Sequence, residues 1–320
     1  MTSTHTELIA EIERAIVGKT GVVELVLDAI AAGGHVLLDD VPGVAKTLLA
    51  RSLAQATGLE FSRIQFTPDL MPSDVTGSSV WNPAERTVEF QPGPVFAQIV
   101  LADEINRAPA KTQAALLEAM AEGQVTVDGL THRLPTPFIV IATQNPVEHE
   151  GTYPLPEAQL DRFMISASLG YPDADSEREI VRRRIDRGTA ELVLNPIAGD
   201  GAALVAQLRQ GAAAVRVHDA VVDYAVRLVD GTRNLAGLDL GASPRGSLAL
   251  VAMAQSRAAR LGRGYALPDD VKAVAVAVLA HRLVLGAEQW VEGVAASSNV
   301  ERLLSSVEAP APEDFVEEVR

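Results

Sequence analysis

One stretch constrains this chain more than any other: Asp40-Val41-Pro42-Gly43-Val44-Ala45-Lys46-Thr47. The apolar run His35-Val36-Leu37-Leu38 feeds into it, and the helix-forming run Leu48-Leu49-Ala50-Arg51-Ser52-Leu53-Ala54 follows. The pattern reads as a buried strand, a tight loop and a helix whose first turn carries Lys-Thr. Backbone N–H groups at such a helix start point at an anion, and the helix dipole favours negative charge there. In a phosphate loop of the form G-x-x-x-x-G-K-[ST], Lys46 reaches the β- and γ-phosphates and the Thr47 hydroxyl sits on Mg²⁺. The match is incomplete, because Asp40 and Ala45 stand where two glycines belong. On this stretch alone an ordinary strand-to-helix turn is the rival reading.

The wider layout favours the phosphate loop. Strand-like runs recur at His35–Leu38, Phe61–Phe66, Gln98–Ala102, Phe138–Thr143 and Phe163–Leu169. Several are continuously apolar, as strands covered on both faces of a parallel sheet must be. Such runs alternating with helical patterns predict a doubly wound α/β layer. Polar clusters sit at the carboxyl ends of three of them: Asp40–Thr47, Asp103-Glu104 and Thr143-Gln144-Asn145. Ligands of open α/β sheets bind at that edge.

Residues 7–32 read as one or two helices, interrupted at Ile16-Val17-Gly18-Lys19. Between the second and third strands, Thr67–Phe96 is rich in Pro, Asp, Ser and Gly. A second insertion, Glu122–Leu134, alternates on both sides of Asp128-Gly129 and predicts a hairpin with a type I′ turn. Beyond Asn195 the pattern is almost purely helical, over 202–213, 218–231, 243–261, 268–285 and 298–306. We therefore expect an α/β core over residues 1–194, a smaller all-α domain over 195–308, and an acidic mobile tail over 309–320.

Composition narrows the function. The formal net charge is −15, from 42 acidic and 27 basic residues, which argues against non-specific affinity for nucleic acid or an anionic membrane face. The absence of cysteine removes disulfides, thiolate zinc sites and Cys nucleophiles. Met1–Glu13 lacks a secretory pattern, and no apolar stretch is long enough to span a bilayer, so a cytoplasmic protein without membrane insertion is expected. His149, between Glu148 and Glu150, has no second histidine at helical spacing, so a side-chain metal site is not expected there.

Five further residues carry chemistry. Asp103 and Glu104 end an apolar strand, and alternation would send them to opposite sides. Asp103 suits Mg²⁺, directly or through water, and Glu104 the water attacking a γ-phosphate. Asn145 would set an amide beside that water; the alternative is a turn residue before proline. Arg162 lies where a short helix meets the fifth strand. Arg245 follows Ser243, a good N-cap, and Pro244, a good first helical residue, and could reach a phosphate across an interdomain cleft. Both arginines suit an oxyanion, or else surface ion pairs.

Together, Ile16-Val17-Gly18, Asp40–Thr47, Leu101–Pro109 and Ala142–Phe163 make the chain resemble the MoxR group of AAA+ ATPases. The resemblance spans nearly its whole length. It implies an α/β AAA+ P-loop ATPase core with a five-stranded parallel sheet followed by a smaller all-α lid. In it Lys46 and Thr47, with Asp40, Val41, Pro42, Gly43, Val44, Ala45 and Leu48 around them, match Walker A. Asp103 and Glu104 match Walker B, Asn145 sensor 1, Arg162 the arginine finger and Arg245 the sensor 2 arginine. Thr67–Phe96 resembles the helix-2 insert and Glu122–Leu134 the pre-sensor-1 hairpin. The resemblance further implies ATP and Mg²⁺ as cofactors and homo-oligomeric rings, usually hexamers, with ATP between neighbours. It also implies chaperone-like remodelling beside partners carrying a von Willebrand factor A domain.

Ala45 is the departure. If it already lies in the helical region its methyl group costs little, and Gly43 is the residue that needs positive φ. Rival readings are a chelatase-type motor subunit for metal insertion, a DNA-directed AAA+ motor, and a non-hydrolysing nucleotide switch.

Overall fold

The computed structural model describes residues 2–145 and 151–315; His149 and its neighbours lie outside them. Two amphipathic helices open the chain, α1 (Thr2–Glu13) and α2 (Thr20–Ala31). Then follow β1 (Val36–Asp39), α3 (Lys46–Thr57), β2 (Phe61–Gln65), α4 (Pro72–Thr76), β3 (Gly77–Asn82), β4 (Thr87–Pro92) and β5 (Ile99–Asp103). The core continues through α5 (Ala110–Glu122), β6 (Gln124–Val127), β7 (Leu130–Arg133), β8 (Ile139–Gln144), α6 (Glu157–Leu160), β9 (Ile165–Ala167) and α7 (Ala174–Arg187).

All five expected runs enter one parallel sheet, in the order β2-β5-β8-β1-β9. Strands β1, β5 and β8 are apolar on successive residues because alternate side chains feed different cores. Val36, Leu38, Ile99, Leu101, Ile139 and Ile141 join one apolar cluster, which runs on through α1–α3. Leu37, Val100, Ala102, Val140 and Ala142 join a second, with Leu116, Leu117 and Met120 of α5. His35 extends β1 with its side chain: Nδ1 accepts the Val140 N–H at 3.0 Å, and Nε2 lies 3.3 Å from the Met120 carbonyl. Burial pushes its pKa down to about 4, so the ring is neutral.

Both inserts are hairpins. β3 and β4 pair antiparallel, with α4 as a short preceding helix. At their base Gly77 and Gly93 pack backbone on backbone; a Cβ on Gly77 would lie 2.3 Å from the Gln91 carbonyl oxygen. β6 and β7 pair across Asp128 (φ 49°) and Gly129 (φ 80°), the two positive angles a type I′ turn requires. The hairpins meet where Phe90 stacks on His132 with centroids 3.8 Å apart.

The second layer comprises α8 (Gly201–Ala213), α9 (Asp219–Arg233), β10 (Leu238–Leu240), α10 (Pro244–Arg260), α11 (Pro268–Leu279), β11 (Val284–Leu285), α12 (Ala287–Val291) and α13 (Ala296–Ser306). The expected helix over 268–285 stops at Leu279, and β11 then pairs with β10. The cause is local: Ala280–Arg282 tightens into a 3₁₀ turn that buries Arg282. Pro312–Phe315 forms another 3₁₀ turn, with the Phe315 ring 5.0 Å from His218. This turn lies within the expected tail, of which 316–320 lie outside the described residues.

This layer is welded to the core. Leu204, Val205 and Leu208 of α8 and Leu250, Met253 and Ala254 of α10 share the cluster of α1–α3. A buried ion pair crosses the boundary, with Arg260 Nε and Nη2 donating to the two Asp28 oxygens at 2.9 and 3.0 Å. Burial pushes the Asp28 carboxyl up to about 6 against the opposing pull of Arg260, so it is ionised at neutral pH.

Candidate nucleotide site

β1 delivers the chain to the carboxyl edge of the sheet, and residues 40–45 turn it back into α3. Gly43 has φ 84°, as expected, but Ala45 has φ 67° and ψ 24°. The expectation that position 45 lies in the helical region is thus overturned. A loop that aims successive N–H groups inward alternates between right- and left-handed residues, and Ala45 supplies the last left-handed step before Lys46. Asp40 pins the loop at its other end: its carboxylate accepts the Val41 N–H at 2.9 Å and the Gly170 N–H, just past β9, at 2.7 Å.

Lys46 Nζ donates to the carbonyl of Asp40 and, at 3.0 Å, to that of Gln144. Burial lowers its pKa, opposed by the charges of Asp40, Asp103, Asp39 and Glu104. Thr47 Oγ1 lies 3.4 Å from Asp103 Oδ2.

The two carboxylates do not separate by strand alternation, as expected. β5 ends at Asp103, and Glu104 turns left-handed, with φ 57° and ψ 50°. Thr143 holds both residues: its hydroxyl donates to Asp103 Oδ1 at 2.7 Å and accepts the Glu104 N–H at 2.8 Å. The Glu104 carboxylate accepts from Gln65 Nε2 at 2.9 Å and pairs with Arg107 at 3.2 Å. Asn145, buried, follows β8.

These groups converge on a cleft of about 420 Å³ lined by Pro42, Gly43, Ala45, Lys46, Thr47, Leu48, Asp103, Glu104 and Asn145. A larger hollow of about 690 Å³ lies against Arg216, His218, Tyr265 and Phe315, but it has no carboxylate pair and no helix-start lysine. Chemistry, not volume, locates the site. Thr47 and Asp103 offer hard oxygen donors of the kind Mg²⁺ takes, and the loop fits a triphosphate. Among the described residues no cluster of three His, Cys, Asp or Glu could hold a metal unaided.

Arg162 and Arg245 are elsewhere. Val36 pairs with Ile165, and the Met164 N–H donates to the His35 carbonyl at 2.8 Å. Arg162 therefore stands at the amino edge of the sheet, a strand length of about 15 Å from the phosphate loop, donating to the Leu117 carbonyl. Arg245 is there too. Asp161 accepts from Arg282 at 2.9 Å and Ser243 at 2.9 Å, with Arg245 at 3.8 Å. Arg245, expected to reach a phosphate across an interdomain cleft, lies beside Asp161 and does not line the cleft of its own chain.

Arg63, Gln65, Asp161 and Arg282 are given no role by the sequence reading, and Thr143 is named there only as part of the cluster Thr143-Gln144-Asn145. Arg63 and Gln65 had a signal, two polar residues spaced by two on one strand, so that both point to one side.

A parallel sheet whose first strand feeds a Lys-Thr helix, with paired acids ending a neighbouring strand, defines a P-loop nucleoside-triphosphate site. Residues 35–165 match the ATPase family associated with various cellular activities (AAA), and 231–303 match the AAA lid domain. The chain belongs to the MoxR family of AAA+ ATPases. It is 45% identical to chaperone MoxR1 of Mycobacterium tuberculosis, covering 94% of this chain and 81% of that one. Uncharacterized protein YeaC of Bacillus subtilis is 47% identical, covering 96% and 95%. The crystal structure of an ATPase candidate from Cytophaga hutchinsonii superposes with a TM-score of 0.89 at 40% identity, covering 97% and 96%.

Proposed function

We propose that this chain is a Mg²⁺-dependent ATPase whose catalytic centre is completed by a neighbouring copy, within a hexameric ring. The observation that carries the reading is the convergence of Lys46, Thr47, Asp103, Glu104 and Asn145 on one cleft. Lys46 leaves its carbonyl partners for the β/γ-phosphates, and the inward-facing N–H groups of residues 43–47 hold the rest of the chain of phosphates. Thr47 and Asp103 would hold Mg²⁺, which would supply charge neutralisation on the triphosphate. Glu104 takes up the proton of the attacking water, and Asn145 orients that water.

Arg162 and Arg245 act on the next subunit's nucleotide. Both stand at the amino edge of their own sheet, joined through Asp161, and neither lines its own cleft. Coupled turnover then drives chaperone-like remodelling of a partner protein in the cytoplasm, with a von Willebrand factor A domain protein as the expected companion. The name of the M. tuberculosis relative supports the chaperone part. The division between core and lid falls near residue 195 on this reading.

Glu104→Gln should bind ATP with wild-type affinity and lose phosphate release by about 10²-fold or more, as general-base loss warrants. Phosphate release at the wild-type rate would contradict the catalytic assignment.

A further inference from the structure

The Asp103 carboxylate is satisfied on both oxygens in the nucleotide-free protein. Oδ1 accepts the Thr143 hydroxyl. Oδ2 accepts two bonds from one guanidinium, Arg63 Nη2 at 2.7 Å and Nε at 3.0 Å. That same Oδ2 faces the Thr47 hydroxyl at 3.4 Å. Arg63 thus covers the Asp103 oxygen that faces the other candidate metal donor, Thr47.

The electrostatics explain why a cation belongs there. Asp103 is buried, and a buried carboxylate without a compensating charge is strongly disfavoured. Lys46, the other nearby cation, is held by two carbonyls rather than by Asp103. Arg63 hangs from β2, the edge strand of the sheet, with its side chain 46% exposed. Its Nη2 also donates to Gln65 Oε1 at 2.7 Å. It can therefore leave Asp103 without being stranded, since it keeps Gln65 and gains water. A divalent cation arriving alone must displace this charge and then sit beside it. Arriving with a triphosphate, it brings the negative charge that offsets the displacement.

We propose that Arg63 is the resident counter-cation of Asp103, displaced from Oδ2 when metal enters with nucleotide, so that this site binds divalent metal as the nucleotide complex and not alone. The proposal rests on the Mg²⁺-ATP reading above. Arg63 is a positioning residue that acts through Asp103.

The test is Mn²⁺ binding to the full-length, nucleotide-free protein, followed by electron paramagnetic resonance. Arg63→Gln, which keeps a hydrogen bond and removes the charge, should bind one Mn²⁺ about tenfold or more tighter than wild type, as loss of a unit charge a few ångström away warrants. Arg63→Lys should behave as wild type, and Arg63→Gln with Asp103→Asn should lose the gain. Arg63→Met, which keeps the apolar stem, repeats the comparison if the Gln form folds poorly by circular dichroism. Equal Mn²⁺ affinity in wild type and the uncharged variants overturns the proposal, as does tight binding by Arg63→Lys. Binding of a fluorescent ATP analogue with Mg²⁺, on the same samples, separates the two failures: wild type that binds no analogue overturns the nucleotide reading and the proposal with it, whereas analogue binding with equal Mn²⁺ affinity in wild type and the uncharged variants overturns the proposal alone.

Discussion

Single residues decide how the phosphate loop is held, and the decisive one is a methyl group. Ala45 occupies a left-handed conformation that costs a non-glycine residue about 1–2 kcal/mol. The folded chain holds that conformation; where it does so before nucleotide arrives, the strain falls on folding and not on ligand binding. Ala45→Gly should raise stability by about 1 kcal/mol after the greater unfolded-state entropy of glycine is subtracted. In a chain of this size that is roughly 2 °C in Tm, with nucleotide Kd essentially unchanged. Calorimetry with and without nucleotide checks both halves; a large gain in affinity would mean that the loop adopts the strain only on binding. The motif itself was legible in the sequence because lysine and threonine at a helix start have few other uses. The left-handed turns at Ala45 and Glu104 were not. Outside glycine, that conformation is imposed by what surrounds the residue and leaves no local mark.

At the scale of elements, the central strands β1, β5 and β8 could be read because burial on both faces makes them apolar on successive residues. The type I′ hairpin was equally plain from Asp128-Gly129. The docking of α10 was hidden, since it depends on contacts far apart in the chain. Its anchor is the Arg260–Asp28 pair between α10 and α2, with Glu24 a further 2.9 Å partner of Arg260. Arg260→Leu leaves Asp28 buried and uncompensated and should cost about 3–5 kcal/mol. Adding Asp28→Leu should recover most of that loss, because two apolar residues have no charge to desolvate. Thermal melting of the single and double variants measures this. A single variant as stable as wild type would show that the pair contributes nothing to the seam.

On the scale of the whole molecule, the site is built at one edge of the sheet and the arginines at the other. The apolar cluster shared by α2, α3, α8 and α10 packs the second layer on the core, and Arg245 lies beside Asp161, the residue before Arg162. In the proposed ring, head-to-tail contacts would bring the two edges together in successive copies. None of this geometry is written in local sequence, where Arg245 could equally have faced its own phosphates. The most direct measurement mixes two inactive proteins, Lys46→Ala, with a defective phosphate loop, and Arg162→Ala, with a defective finger. Shared sites require phosphate release to reappear in the mixture, at a rate that rises toward an optimum near equal proportions. Two inactive proteins that remain inactive when mixed, while still assembling by native mass spectrometry, would contradict a site shared between neighbours.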